Sequence, residues 1–127
     1  MKRVTGLGGV FIKVADPDNL IGWYRDHLGV EKEDYGASVN FEWRHKDDPE
    51  KTGMTVLSLF PEDTQYFGPK NGGFMLNFRV DDMDALLNEL TTGGVEVNGR
   101  EDSEYGRFAW ITDPEGNRVE LWEPPKE

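Results

Sequence analysis

Arg118, Glu120 and Trp122 alternate with Val119 and Leu121 near the C-terminus, just after the turn-like run Asp113-Pro114-Glu115-Gly116. Such alternation reads as a half-buried strand, so the guanidinium, the carboxylate and the indole share one face. A carboxylate in that setting has three chemical uses. It can ligate a metal ion, act as a general base if it is desolvated, or pair with Arg118 or Arg79. The last use would lower its pKa and make it structural. Other reactive groups are few. Of the two histidines, His27 falls in the last turn of a predicted helix, facing solvent, and His45 falls in the acidic turn HKDDPE. A site joining His45, Glu42 and Glu120 would require that turn to fold over the strand face. The chain has no cysteine, which removes thiol catalysis and thiolate metal sites. Gly6 to Gly9 lacks the lysine and helix of a phosphate loop, and no nucleophile elbow occurs.

The elements that must position Glu120 come in two similar sets. Asp16 caps and Pro17 opens a predicted helix with Leu20, Ile21, Tyr24 and Leu28 on one face, ended by Gly29. Asp81 or Asp82 caps a second, with Met83, Leu86, Leu87 and Leu90 as its stripe and Gly93-Gly94 as its stop. The two sets stand at a constant offset of 66, as from Val14 to Val80 and from Ile21 to Leu87. Strand-like runs precede both helices, Gly8 to Val14 and Phe74 to Val80. Downstream, Phe41-Glu42-Trp43 echoes Phe108-Ala109-Trp110, and Asp48-Pro49-Glu50 echoes Asp113-Pro114-Glu115. Each half therefore reads strand, helix, then about three strands. The expected domain organisation is one domain of two modules, residues about 4–61 and about 72–124, with the glycine-rich polar segment 62–71 joining them.

Alternation divides the predicted strands between a helix-facing and a concave side. Val10, Ile12, Val14, Leu57, Leu59, Leu76, Phe78, Val80, Val119 and Leu121 face the helices. The opposite side receives Phe11, Ser58, Phe60, Met75, Asn77, Arg118 and Trp122 beside Glu120. Aromatic walls with a few polar groups suit a small molecule, and these are the expected ligand-binding residues. Glu120 is the expected catalytic group if there is chemistry. Lys13, Arg79 and Arg118 lie toward strand ends, where they can instead reach water or pair with Glu120.

Composition bounds the partners. With 127 residues and no cysteine, one cytoplasmic domain with its own core is expected. A net charge of −11 argues against nucleic acid and anionic membrane, and is compatible with a cationic ligand. No apolar run approaches membrane-spanning length.

The duplicated plan, the entry ADPDNLIGWYRDHLG and the exit DPEGNRVELWEP resemble the vicinal oxygen chelate superfamily. That group includes glyoxalase I, extradiol dioxygenases, methylmalonyl-CoA epimerase and bleomycin-binding proteins. The resemblance implies an α+β fold, with paired βαβββ modules forming an incomplete, barrel-like, mostly antiparallel sheet around a cleft. It also implies a homodimer, and in the family's enzymes a divalent metal in the cleft. The corresponding ligand positions here are Gly9, Ser58, Met75 and Glu120. Glycine has no donor, a thioether suits hard ions poorly and a hydroxyl is weak. The expectation is therefore no cofactor and a small-molecule-binding protein whose ligand is aromatic or cationic. The alternative is a glyoxalase- or dioxygenase-type enzyme with an altered metal site, or with Glu120 as a metal-free acid/base.

Overall fold

Asp16 and Asp82 begin the two helices in the same way. Each side-chain oxygen accepts a backbone N–H three residues on, from Asn19 and Ala85, at 3.1 Å in both cases. The computed structural model describes residues 3–70 and 72–126. Its elements are β1 (Val4–Val14), α1 (Pro17–Leu28), β2 (Ser38–Arg44), β3 (Thr52–Pro61), β4 (Phe74–Val80), α2 (Met83–Thr92), β5 (Val97–Ser103), β6 (Gly106–Thr112) and β7 (Arg118–Glu123). Gly29 closes α1 in the left-handed conformation at φ 69°, and its N–H returns to the Arg25 carbonyl.

The seven strands form one mixed sheet in the order β2-β3-β1-β4-β7-β6-β5. Within each half the first strand runs parallel to the last, β1 with β3 and β4 with β7. The halves meet edge to edge where β1 and β4 pair antiparallel, Gly9 opposite Asn77 and Phe11 opposite Met75. The sheet does not close into a barrel, as expected of this α+β class. The first half departs from the plan in one place. After α1 it has two strands, and an isolated bridge between Lys32 and Val39 stands where a third would lie. The run Glu31-Lys32-Glu33-Asp34 is charged and poor in strand-forming residues, so it holds no ladder.

Each helix covers its own half of the convex side. Under α1, Ile21, Ala37, Val39 and Leu59 are buried, with Ile12, Val14 and Leu57 against them. Under α2 the core is Val80, Met83, Leu86, Ala109 and Leu121, flanked by Phe78, Val119 and Leu90. Burying a side chain of this size stabilises the fold by about 1.5–3 kcal/mol. The expected α1 stripe is shorter than its sequence pattern: Leu28 is 64% exposed, and Val30 and Ala37 complete that cluster. None of the described helices is long and apolar enough to cross a membrane.

Candidate functional site

One row of paired residues crosses the whole sheet. From β2 to β6 it reads Asn40, Val56, Gly9, Asn77, Glu120 and Trp110, each in register with the next. Residues in register on neighbouring strands bring their side chains together on one face. Glu120 is therefore held between two lateral neighbours. Asn77 Nδ2 donates to its Oε1 at 2.6 Å, and Trp110 Nε1 donates to its Oε2 at 2.8 Å. A third donor arrives from outside the sheet, since the Tyr66 hydroxyl also donates to Oε2.

Tyr66 belongs to the segment that joins the halves. That segment does more than connect: Phe67 is 2% exposed, and Phe60 stacks on the Tyr66 ring and meets Phe67 edge-on. The two adjacent aromatics in an otherwise polar stretch were the available sequence signal, because solvated linkers seldom carry them. Trp110 was legible too. Counting back from the Asp113–Gly116 turn along both strands pairs Trp110 with Glu120.

Neither arginine forms the ion pair open to it in the sequence. Arg79 Nη1 donates to Asp81 at 2.7 Å and to Thr5 at 2.9 Å. Arg118 Nη1 reaches the Tyr66 carbonyl at 3.3 Å. Glu120 is 2% exposed, and burial raises its pKa. The opposing effects are smaller: the hydrogen bonds from Tyr66, Trp110 and Asn77, and the more distant charge of Arg118. Tyr66 is also shifted up, first by its own burial and then by the carboxylate beside it.

A cavity of about 320 Å³ opens above this row. Asn77 and Glu120 lie at its floor, and Phe11, Val56, Phe108 and Trp122 line it. Phe108 and Trp122 are stacked, their centroids 6.3 Å apart. Four exposed residues also line it and form its rim, Pro125, Tyr35, Glu104 and Tyr105. The β5–β6 turn delivers the last two. Trp122 Nε1 donates to the Tyr105 carbonyl at 3.0 Å, and Gly106 makes the turn at φ 124°, where a side chain would strike the Glu123 carbonyl. Two larger depressions, about 560 and 550 Å³, share Lys51 and Asp81, which pair with each other at 3.5 Å. His45 lines the second of these, packed on Trp43, and does not line the Glu120 cavity.

Of the residues read as a concave face, the fold thus gathers Phe11, Asn77, Glu120 and Trp122 around one space. Ser58 and Phe60 do not line it, and Phe60 lies beneath the joining segment. Met75 is 1% exposed and packed away, while Arg118 lies against Gly68 with its Nε buried. Sequence reasoning missed Asn40, Tyr66, Phe108 and Trp110. Ser58 pairs with Phe11 as Glu120 pairs with Asn77, so the two halves correspond at these positions. As a donor set Gly9, Ser58, Met75 and Glu120 do not fit a divalent ion: one carboxylate is available, and both its oxygens already accept hydrogen bonds. Among the described residues there is no group of three or more His, Asp or Glu placed to hold a metal.

Solved structures with this fold include methylmalonyl-CoA epimerase from Mycobacterium tuberculosis. It is 27% identical at a TM-score of 0.60, over 99% of this chain and 92% of that one. A single-residue variant of the Streptomyces coelicolor methylmalonyl-CoA epimerase, in complex with 2-nitronate-propionyl-CoA, is 21% identical. Its TM-score is 0.71, over 97% of this chain and 99% of that one. A Legionella pneumophila structure described as an NAD-dependent benzaldehyde dehydrogenase matches at 15% identity and a TM-score of 0.59, over 92% of this chain and 98% of that one. Names so different on one fold show that the likeness carries architecture and not activity. No curated protein matches the chain in sequence. The family described as "Glyoxalase-like domain" matches residues 9–122. The chain belongs to this glyoxalase-like family, within the vicinal oxygen chelate superfamily.

Proposed function

We propose that this chain is a small-molecule-binding protein that works through the concave cavity above Glu120, without the divalent metal used by its enzymatic relatives. One observation carries the reading: the single carboxylate left at the four ligand positions already accepts hydrogen bonds on both oxygens, from Asn77, Trp110 and Tyr66. A group committed in this way shapes a cavity floor better than it coordinates an ion. The aromatic lining from Phe11, Phe108 and Trp122 supplies contact area for a flat or apolar ligand. Epimerase activity is not part of the proposal. The ligand in the Streptomyces coelicolor complex is a nitronate acyl-CoA, which is negatively charged. Among the described residues, this cavity is lined by no Lys, Arg or His to receive such a charge.

The test combines metal analysis with binding. Protein purified without chelator is expected to carry no stoichiometric divalent ion, and Trp122 fluorescence is expected to respond to ligands whether or not EDTA is present. A stoichiometric ion, lost together with ligand response on chelation, would overturn the reading. A second reading is an acid/base enzyme using Glu120, favoured by the burial that raises its pKa. That reading requires turnover that Glu120→Gln abolishes while ligand binding persists. The form proposed is a cytoplasmic homodimer, whose oligomeric state sedimentation equilibrium would test directly.

A further inference from the structure

The amide of Asn77 has only one orientation that suits its neighbours. An ionised carboxylate accepts and never donates, so the group facing Glu120 Oε1 must be Nδ2. Oδ1 is then turned the other way, buried, with no donor among the described residues. It lies against Gly8, where a side chain would collide with it, so the glycine is what leaves this oxygen room. Asn40 stands in the same cross-sheet row, lines the same cavity and also has a buried Oδ1 without a donor. Buried acceptors of this kind are costly unless something satisfies them. Asn40 and Asn77, each with a buried, unpartnered carbonyl oxygen, and two carboxylates, Glu104 and Glu120, thus line one space. No cationic side chain stands among the described lining residues to offset them.

Resting on the binding function proposed above, we infer that the ligand is an organic cation rich in N–H donors, an amidinium or ammonium carried on a flat apolar body. The cationic end donates to Asn77 Oδ1 and Asn40 Oδ1 once a small rotation of each amide opens its oxygen to the cavity, and is balanced by Glu120 and Glu104. The flat body lies among Phe11, Phe108 and Trp122, where ring faces also favour positive charge. Tyr35 and Tyr105, 66% and 69% exposed at the rim, gain cover when such a body is seated.

A matched triplet of probes tests this: benzamidinium, benzamide and benzoate share one shape and differ in charge. Each is titrated into the protein while the Trp122 and Trp110 indole and Asn77 side-chain amide resonances are followed by NMR. Benzamidinium is expected to shift these resonances and bind at least about tenfold more tightly than either analogue. Glu104→Gln, at an exposed position that the fold does not depend on, is expected to weaken benzamidinium several-fold and leave benzamide unchanged. Equal binding of the three, or preference for benzoate, overturns the cation inference while ligand binding itself stands. If none of the three moves the cavity resonances the inference also falls. A neutral or anionic hit from a fragment library, read on the same resonances, would then preserve the binding function by itself.

Discussion

Replacing Glu120 removes the acceptor that ties four separated parts of the chain together, and the choice of replacement separates charge from hydrogen bonding. Glu120→Gln and Glu120→Ala both delete the buried charge. In the glutamine variant the side-chain oxygen still accepts from Trp110 and Tyr66, and the new amide satisfies Asn77 once that side chain turns over. In the alanine variant all three donors lose their partner. Asn77, at 2% exposure, forfeits about 1–3 kcal/mol, and the part-buried Trp110 indole about 1 kcal/mol. Tyr66 is 36% exposed, so water replaces most of its loss. Alanine should therefore be less stable than glutamine by about 2–4 kcal/mol, or about 10 °C in Tm for a domain of this size. Glu120→Met, of similar length but without an acceptor, should behave like alanine and shows that lost volume is not the cause. Thermal and urea unfolding followed by tryptophan fluorescence measures all three. If alanine and glutamine melt within a degree or two of each other, the carboxylate network does not hold the site.

Glu120 should also leave a mark on the pH dependence of stability. Its folded pKa is raised by burial, so the unfolded chain releases this proton first. Stability from this group is present below the unfolded carboxylate value of about 4.3 and is lost as pH climbs to the folded value. The wild-type minus Glu120→Gln difference should show that fall, whereas Asp81, shifted down despite its partial burial because Arg79 and Lys51 bind it, acts in the opposite sense in both proteins. Tyr66→Phe should push the Glu120 pKa further up by removing a donor to the charged form, visible in a carbon-13 titration, at a stability cost below about 1 kcal/mol. An unchanged titration would place the hydroxyl elsewhere in solution. Gly106→Ala should destabilise by about 2 kcal/mol or more, because φ 124° disfavours a side chain and the new methyl meets the Glu123 carbonyl. The same change should weaken ligand binding by displacing Glu104 and Tyr105, and a variant that melts and binds like wild type would refute this account of the turn.

Much of the architecture was already legible in short stretches of the chain. The caps at Asp16 and Asp82, the stops at Gly29 and Gly93-Gly94, the constant offset between the halves and the two faces of each strand are local or periodic properties. A strand's face follows from its own alternation, so the helix-facing set could be named residue by residue. The third strand that the repeat suggested after α1 is reduced to one bridge, because the residues there are charged. In the candidate site, the hairpin joining β6 and β7 made the Trp110–Glu120 pairing countable. Residue order alone settled which types stand on the concave face, including the non-ligating Gly9, Ser58 and Met75. Which of them border the cavity was left to long-range packing, because depth depends on partners far away in the chain. The edge pairing of β1 with β4 put Asn40 and Asn77 in one row with Glu120. Folding residues 62–70 onto the sheet covered Phe60 and brought Tyr66 to the carboxylate. Local periodicity sets the direction of a side chain, but contacts across dozens of residues determine what it meets.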